Sequence, residues 1–89
     1  MKGIGRVGVD SAGGTITGVI APNYIVNGSP VVLVGAAVAP HGIGEHASAV
    51  MVEGSSTVFV NGIAVCREGD AASCGHTLTL GSDNMFVGD

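Results

Sequence analysis

The sequence predicts an all-β fold of short hairpins with a pseudo-threefold repeat, and three observations lead there. Gly-Ser recurs at Gly28-Ser29, Gly54-Ser55 and Gly81-Ser82, at intervals of 26 and 27 residues. Five residues beyond each Gly lies the centre of an apolar triplet: Val32-Leu33-Val34, Val58-Phe59-Val60 and Met85-Phe86-Val87. A period of this length marks a small supersecondary unit used more than once. Gly supplies 16 of the 89 residues, an excess that favours turns and close backbone packing and weakens helices.

Taken in order, the first twenty-odd residues place Ile16, Val19 and Ile20 in a Thr/Gly setting. They read as one or two short strands around a Gly13-Gly14 turn. Repeat one then runs over about 25–50, repeat two over 51–76 and repeat three over 77–89, within a single domain spanning 1–89. Each strand after a Gly-Ser turn stops at Gly35, Asn61-Gly62 or Gly88, and Asn-Gly is a favoured two-residue hairpin turn because both positions tolerate positive φ. Alternation gives each strand two faces. One row is Val32/Val34, Val58/Val60 and Met85/Val87, and the other is Leu33, Phe59 and Phe86. Either both rows are buried in a tight core, or one row of three forms an apolar platform for a partner.

Composition excludes several function classes. Lys2, Arg6 and Arg67 are the only cations against seven carboxylates, so no basic patch for nucleic acid can be assembled. The longest apolar stretch, Val31 to Ala39, is nine residues and contains Gly35, too short to span a bilayer. No apolar run at the N-terminus resembles a signal peptide, so synthesis in the cytoplasm with reduced cysteines is expected. With three aromatics and no Trp, the core is thin. Chains of this size usually need a disulfide, a metal or a partner.

His41 and His46 fall in the connection after repeat one, and Cys74 and His76 in the connection after repeat two. Imidazole and thiolate are good zinc ligands, and four protein ligands make a closed structural site. A single His in a polar loop is ordinarily a solvated residue. All three His and one Cys confined to two corresponding loops favour one structural zinc held by His41, His46, Cys74 and His76. Cys66 reads as a small packed hydrophobe, with a Cys66–Cys74 disulfide as the alternative. Glu45 beside His46 suggests a hydrolytic base, but such a centre needs an open coordination position, which four protein ligands deny. No enzymatic activity is expected.

The stretch Asn61-Gly62-Ile63-Ala64-Val65-Cys66-Arg67-Glu68-Gly69-Asp70 resembles the motif of PAAR-repeat proteins, a Pro-Ala-Ala-Arg segment after an Asn-Gly or Gly-Gly turn, followed by x-Gly-Asp. Arg67, Gly69 and Asp70 match, Ala64 stands for the Pro and Cys66 for the second Ala, and Gly5-Arg6-Val7-Gly8-Val9-Asp10 is a looser echo. The resemblance is to a divergent, PAAR-like member. It implies a sharp cone of hairpins with zinc near the point, ligated by three His and one Cys. It also implies a base docked on a trimeric β-helical spike, either the VgrG protein of type VI secretion or the central spike of a contractile phage tail. The expected function is therefore a zinc-binding tip that caps and sharpens the spike, one tip per trimer, and pierces a target membrane. It would be expelled with the spike or form part of a virion. The row Leu33, Phe59 and Phe86 is the expected partner-binding row. The alternatives are a free-standing zinc-stabilised β-rich adaptor and, further off, a small zinc hydrolase. Because the chain ends at Asp89, no fused toxin domain is expected.

Overall fold

Asn27-Gly28 and Asn61-Gly62 are the sequence's two Asn-Gly pairs flanked by β-branched or aromatic residues, and each becomes a hairpin turn. In the computed structural model, which describes residues 2–42, 44, 47–79, 81–82 and 85–87, Asn27 and Gly28 have φ of 51° and 83°, and Asn61 and Gly62 have 54° and 81°. These are the paired positive values of a turn whose twist matches the flanking strands. The strands are short: β1 Lys2–Gly3, β2 Ser11–Ala12, β3 Gly14–Thr15, β4 Ile25–Val26, β5 Ser29–Pro30, β6 Phe59–Val60, β7 Ile63–Ala64 and β8 Phe86–Val87. They form four antiparallel two-stranded ladders, β1–β8, β2–β3, β4–β5 and β6–β7. The fold is all-β, as the sequence predicts.

Three of these ladders are copies of one another. Ile25 pairs with Pro30, Phe59 with Ala64, and Phe86 with Gly3. The next bond repeats too: Val31, Val65 and Ile4 donate their N–H to the carbonyls of Tyr24, Val58 and Met85 at 2.9, 3.1 and 2.9 Å. The third copy is thus made by β8 and β1, from opposite ends of the sequence.

The three segments then meet. Gly5 N–H donates to Cys66 O at 3.0 Å, Cys66 N–H to Val32 O at 2.8 Å, and Val32 N–H to Gly5 O at 3.0 Å, which closes a three-membered ring of backbone hydrogen bonds. Single bridges Ile4–Arg67, Arg6–Val31 and Leu33–Val65 flank it. Such a ring satisfies backbone groups that would otherwise be buried without partners.

Beyond the ring each segment turns through a glycine with positive φ, at Gly8, Gly35 and Gly69. The N–H of Asp10, Ala36 and Asp70 returns to the carbonyl of Arg6, Leu33 and Arg67, each at 3.0 Å. Each turn then exchanges bonds with a following segment at Ile16, Met51 or Leu78. These three side chains are at most 1% exposed and form the centre of the larger core cluster, which extends to Cys74. Successive side chains on a strand point to opposite sides. Val32 and Cys66 accordingly join this larger cluster, while Val31 and Val65 join a smaller one on the other side of the ring.

Two corners carry an ion pair, one buried and one partly buried, and the third does not. Arg67 donates its backbone N–H and Nε to Asp70 Oδ2 and a terminal nitrogen to Oδ1, at 2.6, 2.9 and 2.8 Å. Arg6 makes the same three contacts with Asp10 at 2.9, 3.0 and 2.8 Å. Leu33 and Ala36 occupy the third corner, both fully buried.

This register differs from the one that the Gly-Ser spacing suggests. Gly28 does not play the part of Gly54. It is a hairpin turn glycine facing open space, whereas a Cβ on Gly54 would meet Val34, Ala64 and Val65 at 2.9 to 3.0 Å. Gly54 is a close-packing glycine. Leu33 consequently matches Arg67 in the repeat, not Phe59. The residue matching Phe59 and Phe86 is Ile25, through the pairings above.

Candidate metal centre

The β2–β3 turn and the two connections that match it converge on one end of the larger core cluster. The first is Gly13 alone, between Ala12 and Gly14, which pair across it. The second runs from Val38 to Ala49, whose backbones are hydrogen-bonded at 2.9 Å, and it contains His41. The third, Ser73-Cys74-Gly75, is closed by Gly75 N–H to Ala72 O at 3.0 Å and Ala72 N–H to His76 O at 2.8 Å. Cross-links hold the three together. Ala39 N–H donates to Thr15 O at 2.8 Å, and Ser73 N–H donates to Val50 O at 2.7 Å.

These turns bring His41, Cys74 and His76 into one group whose ligand atoms all lie within 4.8 Å of one another. His76 Nδ1 is 3.1 Å from His41 Nε2, and Cys74 Sγ is 3.4 Å from His41 Nε2 and 3.8 Å from His76 Nδ1. His41 Nδ1 lies 2.9 Å from Ala39 O. A carbonyl can only accept, so Nδ1 carries the proton and Nε2 presents its lone pair to the group. This is the second contact that usually orients a metal-ligating imidazole.

The donors suit zinc. Zn–N of about 2.0–2.1 Å and Zn–S of about 2.3 Å in tetrahedral geometry place ligand atoms roughly 3.3–3.6 Å apart, close to the three separations observed. A side chain on Gly13 would enter the space between the nitrogens. A Cβ on Gly13 would overlap His76 Nδ1 and stand 2.6 Å from His41 Nε2. The group can therefore hold a metal ion. Of the four ligands expected from the sequence, His41, Cys74 and His76 come together here. His46, like Glu45, lies outside the described residues.

Cys66 has a different place. It is fully buried at the backbone ring, its Sγ donates to Glu53 O at 3.3 Å, and both cysteines are free thiols. Burial, followed by the nearby Asp70 carboxylate, pushes the Cys66 thiol up to about 12. Such a thiol is inert packing, not a ligand.

The opposite side of the ring is apolar. Ile25, Phe59 and Phe86 are 52%, 54% and 46% exposed. Beside them is a concavity of about 200 Å³ whose lining includes Ile4, Val31 and Val65 around the ring, and Tyr24, Val58 and Met85 outside them. Each set contributes one residue from each copy of the hairpin. Leu33, expected in this row, is wholly buried instead. Sequence reasoning missed Ile25 because it followed Gly-Ser. The two Asn-Gly pairs, 34 residues apart, carry the register that the hairpins adopt.

Scanned against protein-family models, the chain matches the PAAR motif over residues 9–80. No curated protein matched it in a separate search. The motif indicates a spike-tip role in contractile injection systems. It also indicates association with a spike protein of such a system. With most of its length covered by this match, with Arg67 and Asp70 joined in a buried ion pair across the exposed Glu68-Gly69 turn, and with an all-β fold, the chain belongs to the PAAR-motif family.

Proposed function

We propose that this protein is the zinc-bound tip of a contractile injection machine, capping a trimeric β-helical spike with one tip for three spike chains. One observation carries the reading beyond family membership. A single chain closes a three-membered backbone ring and offers three like hairpins, with Ile25, Phe59 and Phe86 exposed at matching positions. A trimer presents three equivalent strand ends, and edges of this kind need a cover. Three like hairpins on one chain supply it, and main-chain pairing at such edges is a recurrent recognition mode.

The tip works mechanically, without catalysis. His41, His46, Cys74 and His76 hold the ion. A structural zinc bound there ties the connection that follows Val38 to the one that follows Ala72, where little apolar surface can be buried. The protein is made in the cytoplasm, joins the spike, and leaves with it or stays in the virion, and it meets the target membrane only while the spike passes.

The test is stoichiometry. Native mass spectrometry of the tip mixed with a trimeric spike of VgrG or phage type should give one tip per three chains. A complex of three tips with three spike chains removes the symmetry argument. Metal content measured on protein purified without added metal should be one zinc per chain.

A further inference from the structure

Two of the three turns at the metal end carry donor side chains, and the third carries no side chain at all. A Cβ on it would occupy the space the ion needs. Gly13 has φ of +87°, and a Cβ there would overlap His76 Nδ1 while lying 2.6 Å from His41 Nε2, two atoms that are themselves 3.1 Å apart. That point lies between the nitrogens. An ion bridging them sits about 2.0–2.1 Å from each, so a methyl group and the ion compete for one place.

Gly14 does a related task one residue on. Its Cβ would overlap Ala39 O and stand 3.0 Å from His41 Nδ1, the two atoms whose hydrogen bond turns His41 Nε2 toward the group. Neither role follows from the β2–β3 turn itself. A one-residue turn needs positive φ at Gly13, but it does not require two ligand atoms to crowd that Cα.

We propose that the Gly13-Gly14 pair is part of the metal site. Gly13 keeps the coordination space open, and Gly14 makes room for the carbonyl that orients His41. The proposal rests on the metal reading above. It explains how three converging turns of one repeat hold a single ion: two bring ligands and the third withdraws.

The test separates occupancy from backbone strain. Gly13→Ala puts a side chain at φ +87° and into the site. Gly8→Ala puts one at φ +81°, where nothing lies within 4 Å. Zinc affinity is measured by competition with a chromophoric chelator, and thermal unfolding is followed with and without chelator. Gly8→Ala should keep one zinc per chain and the parent's chelator-sensitive loss of Tm. Gly13→Ala should lose more than about 100-fold in zinc affinity, beyond the 10–100-fold typical of an outer-shell change, and its Tm should ignore zinc. If Gly13→Ala does not fold, Gly13→Ala/His76→Ala is compared with His76→Ala, which lacks the same ligand: the two should unfold alike, within the loss that Gly8→Ala shows, because the nearest clashing atoms are gone. A double variant that falls far below His76→Ala assigns the defect to backbone strain and overturns the proposal. So does Gly13→Ala binding zinc as the parent does. A parent that binds no zinc removes the metal reading, and the role of Gly13 falls with it.

Discussion

At the hairpin end three segments present Ile25, Phe59 and Phe86 from matching positions, whereas at the metal end the three connecting turns differ in length and in chemistry. The first is a bare glycine, the second a long loop with His41, and the third a tight loop with Cys74 and His76. On the proposed function, the contrast follows from what each end has to meet. A trimeric partner rewards three like faces. A tetrahedral ion needs four donors, and four donors cannot be shared equally among three turns. Under that proposal, repetition is kept where the ligand is threefold and abandoned where it is a single ion.

The largest expected effect comes from breaking the metal end. Structural zinc carries apparent binding free energies of about 10–16 kcal/mol in finger peptides, against total stabilities of about 5–15 kcal/mol for whole domains. Cys74→Ser should lower Tm by more than about 20 °C, at roughly 4–8 °C per kcal/mol for a chain of this size. Chelator should lower the parent's Tm and leave the variant's unchanged. A variant that melts like the parent in the presence of zinc takes Cys74 out of the ligand set. The two cysteines supply an internal control by alkylation. Native protein with zinc should expose neither thiol, chelated protein one, and denatured protein both. Cys66 stays protected because burial holds its folded-state pKa near 12, above the ordinary value of 9.0. Its neutral form therefore supports folding below about pH 9, and that support is lost as pH rises toward 12.

Next in size is the comparison among the three corners. Arg67 and Asp70 side chains are 6% and 1% exposed, and removing one partner of a buried pair costs about 3–5 kcal/mol. Arg67→Ala should fall in that range by urea unfolding. Arg6→Ala should cost less, because its side chain is 16% exposed and solvent screens the pair more. The third corner shows what replaces the pair. Arg67→Leu/Asp70→Ala copies Leu33 and Ala36, and it should recover most of the stability lost in Arg67→Ala, since well-packed apolar groups can replace a buried ion pair. If the double variant is no better than the single, the corners are not interchangeable and the repeat is weaker than the backbone bonds suggest.

The all-β class, the hairpins and the His/Cys group were legible because each rests on local chemistry. Asn-Gly specifies its turn through φ, and metal-type side chains are rare enough for their clustering to carry information. Register was harder. Gly-Ser at 28–29 and 54–55 looks like one signal, but one glycine bends the chain and the other lets two segments pack. A glycine's two uses look alike in sequence, because both consist of lacking a side chain. The same ambiguity hid Gly13, which reads as a turn residue until His41 and His76 are placed beside it. The closing of the third hairpin by β1 and β8 was also out of reach, since no local signal links Lys2 to Val87.

The smallest effect on stability belongs to the hairpin row, and it separates that row from Leu33. Ile25, Phe59 and Phe86 are about half exposed, whereas Leu33 is fully buried. Surface changes away from special features stay within about 0.5 kcal/mol, while truncating a buried Leu costs about 2–5 kcal/mol. Ile25→Ser, Phe59→Ser and Phe86→Ser should therefore leave the urea midpoint almost unmoved and weaken binding to a trimeric spike, measured by titration. Leu33→Ala should do the reverse, shifting the midpoint and leaving the affinity of the remaining folded protein intact. The proposed threefold docking adds a sharper condition, because it would set the three exposed positions against equivalent sites. The three single variants should lose similar amounts of affinity, and one that binds like the parent marks a corner that the partner does not touch.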